Sequence, residues 1–427
     1  MIMRLKHGLA GIAAVTVLVW TVTASGFVLS LQGLDSAGLN RQVGQVLYAS
    51  DARGKIVPVA SIGVTQFGGE QIDDLGLPSM MPDGSVVFAA ELNAPGVSPH
   101  WDIFIAKSTD SPPFRLRRLL DSVHVRPGCS PVLRVDPRPT ASESGEIAFI
   151  AGEASGKDTL FLYSKGSLSC LARAGDYTTQ HHQIRVVGFG SQEPAGKGIV
   201  ALNAWIGPDA NAPQSAERQS VLLASSAGVR EVAVQGQLGP NRTRYDSFGL
   251  PRAVSSSDGL QLAFVSNTPS GEGLFLYHGG EMTRVLTTGT LTALAPISHL
   301  SLSRPALTPD GKMAVLASCA RLPAIITIRD GRLSLPIQRG QLTPLGTEFE
   351  WIGDPLLTDA GALYLGASDS DGSNKIFVLS PAGGLFVPGS SGVIYQIAYN
   401  QPHHDYAGSP IANTLCVNAR GDFAYLG

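Results

Sequence analysis

The sequence predicts an all-β fold, a seven-bladed β-propeller, and three observations carry that prediction. A hairpin with a glycine in its turn recurs seven times along the 427 residues. A second hairpin follows each of the first six copies. The seventh second hairpin stands at the opposite end of the chain, from Gln45 to Gly63, ahead of the first copy.

The first hairpin is clearest in "PSMMPDGSVVFAAEL" from Pro78, "PTASESGEIAFIAGE" from Pro139 and "PALTPDGKMAVLASC" from Pro305. "PRAVSSSDGLQLAFVSN" from Pro251 and "PLLTDAGALYLGAS" from Pro355 follow the same plan, and "QEPAGKGIVALNAW" is a weaker copy. The seventh is the terminal "CVNARGDFAYLG". Proline suits the first residue of a strand, where no ladder donor is missed. The turn glycines are Gly84, Gly145, Gly198, Gly259, Gly311, Gly361 and Gly421, and a type I turn plus bulge demands a positive φ there. Just beyond each lies a bulky apolar residue: Phe88, Phe149, Leu202, Phe264, Val315, Leu365 or Tyr425. That position is expected to face the core.

The second hairpin reads "DTLFLYSKGSLSCLARAG" from Asp158 and "EGLFLYHGGEMTRVLTTG" from Glu272. Two hairpins make four strands per unit of roughly 50 to 60 residues, a propeller blade. The upstream "QVLYASDARGKIVPVASIG" then supplies the outer strands of the last blade and the terminal hairpin its inner ones. This 2+2 closure protects edges that would otherwise invite pairing. A stacked solenoid also repeats, but the split last repeat favours a ring.

Hydrophobic residues make up 44 % of the chain, and 49 Gly with 28 Pro imply frequent turns rather than long helices. A net charge of −3 gives no basic field, so no nucleic-acid partner is expected. Arg4 and Lys6 precede an uncharged stretch from Gly8 to Leu34. Its apolar run, residues 9–31, is long enough to span a bilayer as one hydrophobic helix. Residues 1–34 are therefore expected to be a signal peptide or a transmembrane anchor, 35–44 a linker and 45–427 the propeller. Either way the propeller is placed outside the cytoplasm, periplasmic or secreted, or anchored in the inner membrane. The cysteines, Cys129, Cys170, Cys319 and Cys416, show no zinc spacing. Cys319 and Cys416 fall in expected strands, which leaves Cys129 with Cys170 as the one candidate disulfide.

Two families share features with these residues. "NARGDFAY" from Asn418 resembles the exported bacterial NxxGxxAF tandem-repeat proteins, and "SESGEIAF" matches with Ser142 at the Asn position. "ALTPDGKMAVLAS" and "SSSDGLQLAFVSN" are similar to the repeats of TolB-type periplasmic propellers and related WD-like modules. The resemblance implies a propeller and export. It implies no activity, because its motifs are turn and core positions.

Candidate chemistry sits in loops. The pairs His181-His182 and His403-His404, with Asp405, fall in two blade junctions. Four imidazoles and a carboxylate suit a transition metal, and solvated loop histidines are the plainer alternative. "DSDGSNK" loosely resembles a calcium loop through Asp369 and Asp371, but it lacks the terminal glutamate of such loops, and a hairpin turn is the alternative. Arg115, Arg117 and Arg118 on an outer strand are expected to guard a blade edge. No GxSxG, HExxH or P-loop is present, so no cofactor and no catalytic residue is assigned. The expected function is a binding or scaffold module for a protein or glycan partner, an accessory subunit of a membrane complex if the N-terminal helix is kept. The alternative is a propeller hydrolase or lyase with its site at the channel mouth. Converging titratable groups in one pocket would favour the enzyme.

Overall fold

The computed structural model describes residues 19–23, 26–30, 45–50, 56–109, 114–120, 132–188, 191–208, 213–370, 372, 374–381, 385–386 and 414–426. The chain divides into two compact units, Met1–Gln45 and Val46–Gly427.

In the first unit, Val19–Thr23 and Gly26–Ser30 form an antiparallel pair, in register from Val19↔Ser30 to Thr23↔Gly26. The hydrophobic helix expected over residues 9–31 is therefore corrected where that segment is described. Val19, Thr21, Val22, Thr23 and Val28 are β-branched, and such side chains lose freedom in a helix and suit a pleated pair. Among the described residues no helix is long and apolar enough to cross a membrane.

The second unit is a seven-bladed β-propeller. Blade 2 shows the plan. Val132–Val135 and Thr140–Ala141 both pair with Ile147–Glu153, which pairs with Asp158–Ser164, which pairs with Ser167–Arg173. Blades 3 to 6 repeat that order, and blade 1 adds the short strand Gln66–Phe67. The seventh sheet runs Cys416–Val417, Phe423–Leu426, Val46–Ser50, Ile56–Ser61.

Four strands per blade were expected, but six sheets carry a first strand in two pieces. The break falls just before the repeat proline. In blade 1 the N–H of Gly76 still reaches Ala89 O at 2.9 Å, and the next N–H, of Leu77, turns to Pro137 O of blade 2 at 2.7 Å. Leu250 does the same toward Leu302 O, from blade 4 to blade 5. The interruption thus redirects a backbone donor from its own sheet to the neighbouring blade.

The second pieces of these inner strands touch in order: Ser79–Met80, Thr140–Ala141, Glu193–Gly196, Arg252–Ser256, Ala306–Leu307, Leu356–Leu357, Cys416–Val417, and again Ser79–Met80. The circuit closes a ring around a central channel. Seven apolar clusters fill the seven blade-to-blade interfaces. The seven bulky positions beyond the turn glycines lie in them, each at most 1 % exposed. Four are aromatic residues stacked on the partner directly across the sheet: Phe88–Phe104, Phe149–Phe161, Phe264–Phe275 and Tyr425–Tyr48. The seven turn glycines all have positive φ.

Candidate functional site

The second pieces of the inner strands line the channel, so the residues beside each repeat proline face it or its wall. Several are charged. Glu193 precedes Pro194, Arg252 follows Pro251, Arg304 precedes Pro305 and Asp354 precedes Pro355. Glu193 is buried and receives two guanidinium groups from different blades. Arg252 donates to its Oε1, and Arg304 Nη1 lies 2.9 Å from its Oε2. Two partners on the two oxygens meet the condition under which a buried carboxylate is tolerable. Asp354 continues the line in blade 6. Burial pushes its carboxyl above the usual range, against a hydrogen bond from Ser303 and the charge of Arg304.

A cavity of about 190 Å³ opens where this wall meets the turns of the first hairpins. Its polar lining is Ser142, Glu143, Ser144, Glu193, Arg252 and Ser255. Pro194, Ala195, Ala253, Val254 and Pro309 supply its apolar wall. Glu143 keeps contact with solvent, yet the surrounding wall desolvates its carboxyl and pushes its pKa up. The Ala419 backbone and Arg252 pull in the other direction, and Asp359 and Glu193 add to the rise. Asp359 is raised too, by burial first and by Asp310 second. The arrangement therefore offers hydroxyls that donate and accept, a carboxyl whose pKa its surroundings push up, and one fully compensated anion. The cavity's volume is below the ~300 Å³ at which pockets for whole small molecules begin.

The residues singled out from the sequence lie elsewhere. His181 is exposed with a φ of 67°, and its N–H donates to Thr178 O. His182 Nδ1 lies 2.8 Å from Glu231 Oε1, and its Nε2 lies 3.2 Å from Arg218 Nη2, so it braces blade 3. His403, His404 and Asp405 lie outside the described residues, as do Asp371 and Cys129. Asp369 is fully buried. Lys375 Nζ approaches its two oxygens at 2.7 and 2.6 Å, and Thr347 Oγ1 donates to it at 2.6 Å. Its oxygens are committed to the blade rather than open to a cation. Among the described residues, no group of three or more His, Cys, Asp or Glu is placed to hold a metal ion.

Arg118 corrects the edge-guard expectation. It turns inward to Glu70 and Asp102, the latter at 3.0 Å, and lies over the Phe67 ring at 5.1 Å. A guanidinium that can stack and pair at once suits such a half-buried place. Cys319 is buried in a strand of blade 5, and Cys416 is half-buried in blade 7.

Fold and channel define the class: a seven-bladed β-propeller with a charged inner wall and a small polar cavity at one channel mouth. Residues 80–427 match the family model described as "Family of unknown function (DUF7453)", and the chain belongs to that family. No curated protein matches it. Among solved structures it is similar to TolB from Acinetobacter baumannii, at 15 % identity and a TM-score of 0.38, over 69 % of this chain and 61 % of that one. It is similar also to a puromycin-hydrolyzing peptidase of Mycobacterium tuberculosis, at 13 % identity and a TM-score of 0.37, over 74 % and 52 %. A third is an Aleuria aurantia lectin mutant in complex with Fucalpha1-6GlcNAc, at 9 % identity and a TM-score of 0.37, over 73 % and 94 %. The chain thus spans less than two thirds of the length of the first two.

Proposed function

We propose that this protein is an extracytoplasmic binding module for a protein or glycan partner, one polar residue of which enters the cavity beside Glu143. The observation that carries this reading is the cavity itself, too small for a whole ligand and lined by hydroxyls and carboxyls. Glu193 supports it, because a carboxylate held by two arginines is a fixed acceptor wall rather than a reactive group. Export is carried by the basic, then apolar, N-terminal sequence, as a signal peptide over 1–34 or a retained anchor. The 2+2 closure and the kinship with NxxGxxAF repeats belong to the same proposal. A retained anchor makes the propeller an accessory subunit of a membrane complex.

The test is a glycan array and a pull-down from native membranes, each run with the wild type and with Ser144→Phe. Ser144 is exposed, so the larger ring fills the cavity without disturbing the core. Capture by the wild type and loss in the variant, with unchanged melting, is the expected result. Equal capture by both proteins removes the cavity from the binding site.

A second reading, a hydrolase or lyase, is favoured by the raised pKa of Glu143, which suits a general acid. Mass spectrometry of the captured partner separates the two. A partner recovered unaltered supports binding. A partner cleaved by the wild type and intact with Glu143→Gln supports the enzyme.

A further inference from the structure

The two faces of the propeller differ in a way the blade plan does not require. In blade 5, Ile297 registers with Cys319, Cys319 with Leu322, and Ala324 with Gln338. The loop that enters a blade, the turn between its second and third strands and the loop that leaves it therefore share one face. The turns of the two hairpins share the other.

Ten large apolar side chains are exposed among the described residues; eight stand on loops and turns of the entry face and the other two just inside it. Five of them occupy equivalent places in five blade junctions. Val64, Tyr177, Leu238, Leu291 and Leu342 each follow, by one or two residues, a glycine of positive φ, and they are 53 % to 77 % exposed. Isolated bridges, Tyr177↔Gln183, Leu238↔Arg244, Leu291↔Pro296 and Leu342↔Glu348, hold four of these loops in shape while the side chain points outward. Leu294 adds to one junction, and Val97 and Leu322 stand on turns of the same face. Trp205 pairs with Val186 just inside it. A hydrophobe that packs on nothing is unremarkable once. Recurring at one position in five junctions, with the opposite face carrying Asp83, Glu143, Lys197, Asp258, Asp310 and Asp359 in its turns, it marks a surface.

The chain itself indicates what covers it. Val46, where the chain enters blade 7, registers with Ser61, and Val64 follows three residues after Ser61. The N-terminal sequence therefore joins the propeller at this same face, and its uncharged run from Gly8 to Leu34 ends a short linker away. We propose that the entry face rests on a lipid bilayer, with the ring of junction side chains set into its interface. Single apolar side chains on separate loops, with polar neighbours between them, match interfacial insertion better than the continuous dry patch of a protein contact. The channel mouth beside Glu143 then opens away from the membrane, toward the partner. The inference rests on the extracytoplasmic, membrane-tethered reading above.

The test uses the full chain reconstituted in vesicles of phosphatidylethanolamine and phosphatidylglycerol, with and without spin-labelled lipid. An environment-sensitive fluorescent amino acid replaces Leu291 or Leu342 at the entry face, or Ser226 or Asp330 at the other. Flotation reports tethering, and quenching by the spin label reports depth. We expect about twofold or stronger quenching at Leu291 and Leu342 and little at Ser226 and Asp330. The triple variant Leu238→Asp, Leu291→Asp, Leu342→Asp should still float but lose quenching at a probe replacing Val64. Flotation with equal quenching at the two faces overturns the docking and leaves the tether standing. Failure to float overturns both. A doubled mass that the triple variant abolishes, without quenching, assigns the face to a second copy of the chain and overturns the lipid reading.

Discussion

At Glu153, burial and pairing act in opposite directions. Its side chain is 1 % exposed, and burial alone raises a carboxyl pKa. Thr159 Oγ1 at 3.0 Å, Arg173 Nη2 at 2.9 Å and Ser155 Oγ at 3.1 Å outweigh burial and hold the pKa below its usual 4.5. A depressed carboxyl stabilises the fold fully above its unfolded pKa, and that contribution is lost as pH falls below 4.5 through the folded value. Glu153→Gln should therefore cost about 2 kcal/mol at pH 7 and less at pH 3, measured by denaturant unfolding. An equal loss at both pH values would mean that shape rather than charge matters there. The channel charges left a trace in the same repeat, although none of them was expected as a site residue. Glu193, Arg304 and Asp354 all precede the repeat proline, where blades 1 and 4 have Leu77 and Leu250. With Arg138 before Pro139, four of the six copies carry a charge at this position, and that recurrence was the available signal. What the sequence withheld was that these positions converge, because Glu193 and Arg304 are far apart in the chain and belong to blades that are not neighbours. The motif asparagine tells a related story. Asn418 Oδ1 accepts from Asp422 N at 3.0 Å, and Ser142, Thr308 and Thr358 accept equivalently from Glu146, Lys312 and Ala362 at 3.1 Å. A hydroxyl caps this turn as an amide does, so most copies dispense with Asn.

The strands and their turns were the most legible elements, because turn glycines and strand-opening prolines are local signals. The break in the inner strand was not, since its reason lies in the next blade. A Cβ built on Gly76 would sit 2.1 Å from Pro137 O, and one on Gly249 2.1 Å from Leu302 O. Glycine is needed at both places for close backbone approach. Gly249→Ala should push blade 5 away, weaken the Leu250 N to Leu302 O bond of 3.1 Å, and cost about 3 kcal/mol in the denaturant midpoint. Hydrogen exchange at Leu250 should quicken with it. A loss under about 1 kcal/mol would mean that the neighbouring backbone yields and that the break is not a fixed joint.

Sevenfold recurrence made the whole ring readable, and the N-terminal segment shows the limit of the same method. Hydropathy reports that a stretch is apolar, but helix and strand compete there on β-branching, and Val19–Thr23 pairs with Gly26–Ser30. The seventh sheet raises the question of how far the ring holds together as one body. Phe423, Ala424, Tyr425 and Leu426 are each at most 5 % exposed, and burying such side chains contributes roughly 6 to 9 kcal/mol together. Asn418 Nδ2 also donates to Met81 O of blade 1 at 2.9 Å, and Tyr364 of blade 6 donates to Gly421 O at 3.2 Å. Removing residues 416–427 would strip the edge of Val46–Ser50, unstack Tyr48 and break both contacts. The loss is comparable with the ~5 to 15 kcal/mol that holds a folded protein together. If the blades fold as one cooperative body, amides as remote as those of blades 3 and 4 should lose protection in the truncated chain. If each blade leans only on its neighbours, as in an open array of repeats, protection should fall in blades 6, 7 and 1 and persist across the ring. Residue-resolved hydrogen exchange separates these outcomes. A truncated chain that keeps its full melting temperature would refute closure through the seventh sheet.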